Sequence, residues 1–390
     1  MSTPFFPASR EAALARLAAV RPADYARSRN AIEGAVTRLS PYLSHGVLTL
    51  PDVHADIAAR FALAPQHKLV YEFGWREYFH HVWRHRGDAI FASLHDGPLP
   101  ETAYARELPP DLREGRTGVP AVDRAVAELY ATGYLHNHGR MWLASYVVHL
   151  RKVHWRAGAD WLYGHLLDGD LASNHLSWQW VAGTGSHKPY LFNAENVARY
   201  APRDWHSPGT VVDRSYEALD RMARHPDAAA AAGIRLTDPA LDEPPLLHAP
   251  PAHAGYAAPD ARAVAGRDVW LIHPWALRAP PADLPEGTVT VAIAVAEWHA
   301  RWPWSPGRWA FVAGLQDSLA AHCWYGDVAS LHVALAGARS VHGVDDPHLG
   351  SELRQLRADG ALRPTPRLFA PVERACASFS QWWHRTRLDA

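Results

Sequence analysis

The amino-acid sequence predicts a protein with an all-helical N-terminal part and a C-terminal α/β part built on a parallel sheet. Three observations lead to this fold class: helical spacing of apolar residues over positions 9–200, a Pro- and Ala-rich stretch over 201–266, and alternating strand-like and helix-like segments from 267 onward. The 390 residues are enough for two domains. We therefore predict domains over residues 1–200 and 267–390, joined by a linker over 201–266.

The N-terminal part shows helical periodicity, and no segment of it alternates with the period of two that marks a strand. Ser9 can cap the first helix, over residues 10–20, because its hydroxyl can accept from an exposed backbone N–H. The further helices that the pattern predicts span residues 51–61, 68–84, 119–131, 137–156, 161–167 and, within the linker, 216–223.

The C-terminal part alternates between short apolar segments and amphipathic ones. Short apolar runs between helical segments are typical of the buried strands of a parallel sheet. The predicted strands span residues 269–277, 288–295, 323–325, 338–344 and 367–371. The predicted helices between them span residues 307–321, 328–336 and 348–358.

Composition and charge restrict the classes of function. The net charge of −1 gives no sign of a general affinity for nucleic acid or membranes, so DNA contact would need a local basic groove. The two cysteines form no spaced framework, no apolar run is long enough to span a bilayer, and the start is not a secretory signal. We expect a cytoplasmic protein without membrane contact, and we predict no metal site.

The 17 tryptophans are unusually many, because each indole needs a large pocket and a partner for its N–H. They can fill the seams between helices, or some can stack on a flat ligand or carry electrons. The segment 168–180 combines two aspartates, two tryptophans and Asn174. This density of polar groups beside indoles suits a flat heteroaromatic ligand that needs stacking faces and hydrogen bonds at its edge.

Three other segments carry groups that could serve such a ligand. Glu72, Trp75 and Arg76 share one helix face, which fits either a binding surface or an ion pair beside core aromatics. Arg140 needs an acidic partner if it is buried, and the Asp168–Asp170 loop can supply one. Hydroxyls at positions 37–44 lie near a helix start, where phosphate can bind, although ordinary capping explains them equally well.

These segments occur in the order and spacing of the FAD domain of photolyases and cryptochromes, and residues 9–200 resemble that family. The resemblance rests on TRLSPYLSHG, EFGWREYFHHV, EGRTGVPAVDRAVAELYATGYLHNHGRM and DGDLASNHLSWQW. It implies a light-driven flavoprotein with FAD bound in the helical part. The residues that it assigns to FAD binding are Tyr25, Thr37, Arg38, Leu39, Ser40, Arg140, Asp168, Asp170 and Asn174.

The resemblance also implies a substrate, a cyclobutane pyrimidine dimer in UV-damaged DNA. Excited reduced FAD would pass an electron to a flipped-out dimer. Trp75 and Trp180 would form an apolar wedge that holds the dimer, and Glu72 would hydrogen-bond the pyrimidine. Asn174 would lie next to flavin N5, where a neutral amide favours a catalytic hydroquinone over a signalling semiquinone. The residues assigned to catalysis are Glu72, Trp75, Asn137, Met141, Asn174 and Trp180, and the predicted DNA contacts are Arg76, His138 and Lys188.

Electron supply is assigned in the same way. Trp178 and Trp155 match the first two members of the family's photoreduction chain. The third tryptophan is absent near Thr102, and Tyr104 is the nearest substitute. Photoreduction by the usual three-step route is therefore in question.

The order of the two parts departs from the family, in which an α/β antenna domain comes first. Here VWLIHPWAL and WSPGRWAFVAGLQDSL, which resemble an opening strand and an early helix of that domain, follow the FAD part. We therefore predict a circular permutation and leave the identity of a second chromophore open. The predicted function is repair of cyclobutane pyrimidine dimers by a monomeric photolyase. The alternatives are a cryptochrome-like blue-light photoreceptor and an FAD redox protein without repair activity.

Overall fold

A computed structural model describes residues 5–230, 240–356 and 360–389. In the N-terminal part, α-helices are joined by short loops, and the first begins at Ser9, whose hydroxyl accepts from the N–H of Ala12 at 3.1 Å as predicted. The helices are α1 (Arg10–Ala19), α2 (Pro22–Ser28), α3 (Ser40–Ser44), α4 (Leu50–Arg60), α5 (Lys68–Arg86), α6 (Pro110–Arg113), α7 (Pro120–Thr132), α8 (Asn137–Ser145), α9 (Trp155–His165), α10 (Leu171–Ala182), α11 (Ala194–Tyr200) and α12 (Tyr216–Ala223).

The segment predicted as one helix over residues 137–156 is divided in the structure. A π-helical turn over Tyr146–Leu150 follows α8, and α9 begins only at Trp155. Lys152 has a φ of 53°, a left-handed conformation that interrupts a right-handed helix. The apolar spacing continues across this break, which explains the error. The helix predicted over residues 161–167 is the second half of α9.

The C-terminal part folds around a five-stranded sheet with the strand order β3-β2-β1-β4-β5, whose described strand pairs are all parallel. Its elements are β1 (Asp268–Ile272), β2 (Val289–Val295), α13 (Ala296–Arg301), α14 (Pro306–Asp317), β3 (His322–Gly326), α15 (Val328–Leu335), β4 (Ser340–Val344), α16 (Gly350–Leu356), β5 (Leu362–Arg363) and α17 (Phe379–Trp383). The order reverses between β1 and β4, where doubly wound sheets form a ligand crevice.

The strand predicted over residues 367–371 is wrong. The fifth strand is instead β5, which pairs with β4. The backbone N–H groups of Leu368 and Phe369 donate to the carboxylate of Glu77 on α5, at 2.6 and 3.3 Å. These groups therefore find their partner on a helix and not in the sheet, which the apolar sequence of the segment could not reveal.

One apolar core runs from the helical part into the sheet. The ring of Tyr42 in α3, for example, lies 5.6 Å from that of Phe311 in α14. A second cluster lies within the helical part and includes Trp142 and Trp178. The two parts are thus packed directly against each other. In the described residues, no helix combines the length and the apolar character needed to cross a bilayer.

Candidate functional site

The loop between α9 and α10 forms the centre of the site, and we call Asp168–Asp170 the acidic loop. Asp168 is buried, and its carboxylate binds the guanidinium of Arg140 through two contacts of 2.7 and 3.0 Å. The hydroxyl of Ser40 donates to the same carboxylate at 2.5 Å. Both arginine contacts come from one nitrogen, Nη2, and together with the hydroxyl they satisfy this carboxylate inside the protein. The structure thus brings together three residues predicted to bind the cofactor.

Asp170, the second carboxylate of the acidic loop, is 2% exposed. It caps α10 by accepting from the N–H of Ser173 at 2.7 Å, and it contacts Nε2 of His80 at 2.8 Å. Burial alone would raise the pKa of Asp170, but the charges of His80 and Arg76 outweigh burial and hold this pKa well below its usual range. Asp170 therefore remains ionised inside the protein.

Asn174 lies one helical turn beyond Asp170 on α10. Its side-chain nitrogen donates to the carbonyl oxygen of Ala159 in α9 at 2.8 Å, and the residue is 9% exposed. The amide is thus held between α9 and α10. Its predicted place beside a flavin ring remains a prediction.

The predicted phosphate-binding stretch contains a left-handed turn, because Arg38 has a φ of 50°. The side chain of Leu39 is fully buried, so only its backbone can face a ligand. Thr37 accepts from the N–H of Leu39 at 3.4 Å. Burial and the neighbouring Glu72 carboxylate raise the pKa of Tyr25. The contacts of these residues with a cofactor stay predictions.

Two residues assigned to the pyrimidine dimer are engaged within the chain. Glu72 forms an ion pair with Arg29 at 2.6 Å. Trp75 is stacked on Phe379 of α17, with ring centroids 4.1 Å apart and an angle of 12° between the rings. A ligand could therefore reach this face of Trp75 only if α17 moved away.

The other three dimer-contact candidates are more accessible. Asn137 is exposed, and its amide donates to the sulfur of the half-buried Met141 at 3.4 Å. Trp180 is 40% exposed and lies 5.6 Å from the ring of Tyr190. These side chains present amide, thioether and indole groups near the protein surface.

The predicted DNA contacts differ in their exposure. Arg76 is directed at the interior, where it lies 3.3 Å from the hydroxyl of Ser44 and 3.8 Å from the carboxylate of Asp170. His138 lies 5.3 Å from the ring of Tyr200 and is only partly exposed. Lys188 is exposed. Of the three, Lys188 alone extends freely from the surface.

The predicted electron-transfer residues belong to the second apolar cluster or pack against it. Trp178 is 2% exposed and lies against Gly158, where an added Cβ would come within 2.3 Å of the indole. Trp155 is the first residue of α9, the helix that contains Gly158, and its indole N–H donates to the hydroxyl of Ser93 at 3.0 Å. Tyr104 and Trp155 line one cavity of about 330 Å³. The structure therefore places the proposed substitute beside the second tryptophan.

A second cavity, of about 570 Å³, has walls from both parts of the chain and was not predicted. It opens where β1 and β4 end, at the reversal of strand order. Trp275 follows β1 and is stacked on His348, with ring centroids 4.5 Å apart. His348 lies 2.7 Å from Asp346 and 3.7 Å from Asp170. The cavity thus reaches the acidic loop, and the sequence signal for it was the pair of His-containing loops after two buried strands.

Arg308, from α14 of the C-terminal part, also reaches the acidic loop and was not predicted. Its guanidinium donates to the carbonyl oxygens of Tyr163 and Gly169 at 2.8 and 2.6 Å. The only sequence signal was an arginine within an otherwise apolar helix, where a buried guanidinium needs partners.

Comparison with known proteins gives the family of the helical part. Residues 69–220 match the FAD binding domain of DNA photolyase. The chain is 33% identical over 198 residues to a cryptochrome DASH from Gloeobacter violaceus, and the matched region covers 48% of this chain and 39% of that protein. It is 34% identical over 165 residues to a deoxyribodipyrimidine photo-lyase from Streptomyces griseus, with 42% of this chain and 36% of that protein covered.

Among solved structures, a cryptochrome from Synechocystis is 30% identical, with a TM-score of 0.45 over 49% of this chain and 43% of that one. The chain spans less than half the length of these three proteins.

The residues around the acidic loop suit FAD chemically. An ionised carboxylate can accept from the N–H at the edge of a flavin, and a neutral amide can hydrogen-bond a ring nitrogen. The ion pair between the partly buried Arg140 and the buried Asp168 offers a fixed polar wall for the ring system. These residues all fall within the matched region 69–220. Residues 69–220 are therefore a FAD-binding domain of the DNA photolyase type, with FAD as its cofactor.

Proposed function

We propose that the protein is a light-driven flavoprotein in which FAD at the acidic loop exchanges single electrons after absorbing blue light. The observation that carries this proposal is the ion pair between the partly buried Arg140 and the buried Asp168, beside the ionised Asp170. FAD supplies the light absorption and the one-electron chemistry. Asp170 would accept a hydrogen bond from the flavin edge, Arg140 would keep Asp168 oriented, and Asn174 would present a neutral amide.

The aromatic residues beside the acidic loop support electron supply from the surface. Trp178 and Trp155 are both buried and belong to packed neighbouring helices, α10 and α9. Tyr104 lines the same cavity as Trp155 and is partly exposed. The light-excited cofactor would take an electron from Trp178, Trp155 would replace that electron, and an external reductant would restore Trp155, directly or through Tyr104.

The face around Trp75 favours an output other than DNA repair. Phe379 covers one side of the indole, and Glu72 is held by Arg29. Arg76 contacts Asp170 in the interior, and the net charge of −1 supplies little general attraction for phosphates. A photoreceptor or flavin redox protein, as the relatives named cryptochrome DASH suggest, is therefore our first proposal.

Repair of cyclobutane pyrimidine dimers in UV-damaged DNA is our second proposal. It is supported by the accessible Asn137, Met141 and Trp180, and by the relative named deoxyribodipyrimidine photo-lyase. In this function α17 would leave Trp75, and a flipped dimer would lie between Trp75 and Trp180. Glu72 would then hydrogen-bond the pyrimidine, and Lys188 would contact DNA phosphates.

Illumination of the purified protein with FAD, a thiol and dimer-containing oligonucleotides, single- and double-stranded, separates the two proposals. We expect the visible flavin absorption to fade in the light while the amount of dimer stays constant. Light-dependent loss of dimers would replace the first proposal by the second. A chain that takes up no FAD would contradict both, and Asp168→Asn serves as the variant with an impaired cofactor site.

We also propose that the C-terminal part is a permuted antenna domain with boundaries near residues 200 and 267. The cavity of about 570 Å³ at the ends of β1 and β4 supports a second chromophore there, because Trp275 and His348 offer aromatic faces beside it. Release of a second pigment on denaturing protein purified from cells would support this assignment. Release of FAD alone, at one molecule per chain, would contradict it.

A further inference from the structure

Side chains from other elements contact the three backbone carbonyl oxygens of residues 167–169, a segment that includes the first two residues of the acidic loop. The oxygen of Leu167 lies 2.8 Å from Nε2 of His45, and that of Asp168 lies 2.9 Å from the hydroxyl of Ser44. The oxygen of Gly169 lies 2.6 Å from Nη2 of Arg308. Loops normally satisfy such groups with water or with their own backbone. Here the path of the loop is determined by side chains from elsewhere in the chain.

Arg308 is the member of this group that comes from the α/β part. Its side chain is fully buried, and its guanidinium lies over the rings of Tyr163 and Trp304, 4.6 and 4.3 Å from their centroids. A Cβ on Gly169 would lie 2.3 Å from Nη1 of Arg308, so the loop and the guanidinium fit closely. No ion pair joins Arg308 to a carboxylate in the described part of the chain. Burying an arginine in this way is costly, which indicates a specific role.

The positive charge of Arg308 acts on both carboxylates of the acidic loop. Burial lowers the pKa of Arg308, and the negative charges of Asp168 and Asp170 oppose this shift. Three guanidinium groups and two carboxylates meet at the loop, and these five residues are Arg76, Arg140, Arg308, Asp168 and Asp170. Each carboxylate already lies beside another guanidinium, so Arg308 adds a further positive charge at the loop, and such a charge favours the negative charge of reduced FAD.

We propose that Arg308 is a positioning residue of the flavin site, through which the α/β part holds the acidic loop and adds the positive charge that favours the reduced cofactor. The proposal rests on FAD binding at this loop. It gives the α/β part a role in the redox chemistry that is independent of any second chromophore.

Arg308→Met and Arg308→Lys test the two halves of the proposal, with Arg151→Met as the control. Arg151 is also a largely buried guanidinium, but it is paired with Asp111. In the protein without FAD, we expect amide hydrogen exchange over residues 166–171 to be faster than in the wild type for both Arg308 variants, on the order of tenfold to a hundredfold. The control should leave exchange in this segment unchanged.

The reduction potential of bound FAD gives the second measurement. We expect it to be more negative in Arg308→Met, and close to the wild-type value in Arg308→Lys, which keeps the charge but not the two-pronged contact. If the Met variant retains no FAD, Arg308→Gln replaces it. Unchanged exchange in the loop, or a potential that does not respond to loss of the charge, overturns the proposal. Failure of the wild type to bind FAD would instead overturn the proposed function, while the exchange experiment would still test the loop contact.

Discussion

The stack between Trp75 and Phe379 determines whether the helical part has an open face beside the flavin, and Phe379→Ala perturbs it directly. Phe379 is 4% exposed and its ring lies 4.1 Å from Trp75. Truncating a buried phenylalanine costs about 3–5 kcal/mol of unfolding free energy. The stacked geometry accounts for about 1 kcal/mol of this total. The remainder comes from other lost contacts, among them those with Tyr71 and Trp383, whose rings lie 4.7 and 5.5 Å away.

A double-mutant cycle isolates the stack. We expect urea unfolding of Trp75→Ala, Phe379→Ala and the double variant to give a coupling free energy of about 1 kcal/mol. Trp180→Ala is the control partner, because Trp180 lies on α10 and packs on Tyr190. Its effect should add to that of Phe379→Ala within about 0.5 kcal/mol. Additive effects for Trp75 and Phe379 would refute the idea that α17 covers this face by a specific contact.

The same variant also addresses function. If α17 is a displaceable cover over a dimer-binding face, Phe379→Ala should bind dimer-containing DNA more tightly than the wild type. Equal, weak binding by both proteins would support an output other than repair.

Three further outcomes follow from the site. Asp168→Asn leaves the partly buried Arg140 without its charge partner, so we expect a loss of about 2–3 kcal/mol of unfolding free energy. We also expect this variant to lose FAD, measured by the visible absorption that survives gel filtration. Burial lowers the pKa of His149 to about 4, whereas the unfolded chain protonates near about 6.5. Stability should therefore fall as the pH drops from about 6.5 to 4, and a His149→Gln variant should show a shallower fall in its urea midpoint. Trp155→Phe should slow light-driven reduction of FAD by an external thiol, and an unchanged rate would exclude Trp155 from the route through Trp178.

The regular elements of the fold were largely predictable because their apolar periodicity matches their burial. The strands β1 to β4 carry short buried runs, and the helices between them carry amphipathic ones. The break at Lys152 could not be predicted in this way, because a positive φ at a lysine is imposed by the surrounding structure. Residues 367–371 look like a strand in sequence, but their N–H groups bind Glu77, a distant residue.

The site was predictable where its parts come from one short region. Arg140 and Asp168 are 28 positions apart, and a buried arginine beside an acidic loop demands a pair. Arg308 donates to a carbonyl 139 positions away, and no local pattern marks that contact. The stacking of Phe379 on Trp75 could not be predicted from local sequence either. It depends on where the C-terminal segment packs after it leaves the sheet.

The path of residues 241–266 follows from the way the two parts meet. All described strands are parallel, and their carboxyl ends lie beside the acidic loop. The start of β1 therefore lies at the opposite end of the strands, away from this loop. A chain leaving the helical part therefore has to run the length of the sheet before it can start β1. The backbone bonds along this path are regular. Leu241 bonds to the helical part, Leu247 to Trp304, Ala257 to the outer side of β3, and Gly266 to Gly337 in the loop before β4. The bond at Ala257 also covers the edge strand β3, which would otherwise present unpaired groups. If the α/β part did move from the front of an ancestral chain to its end, a linker of this length and path is what that order requires.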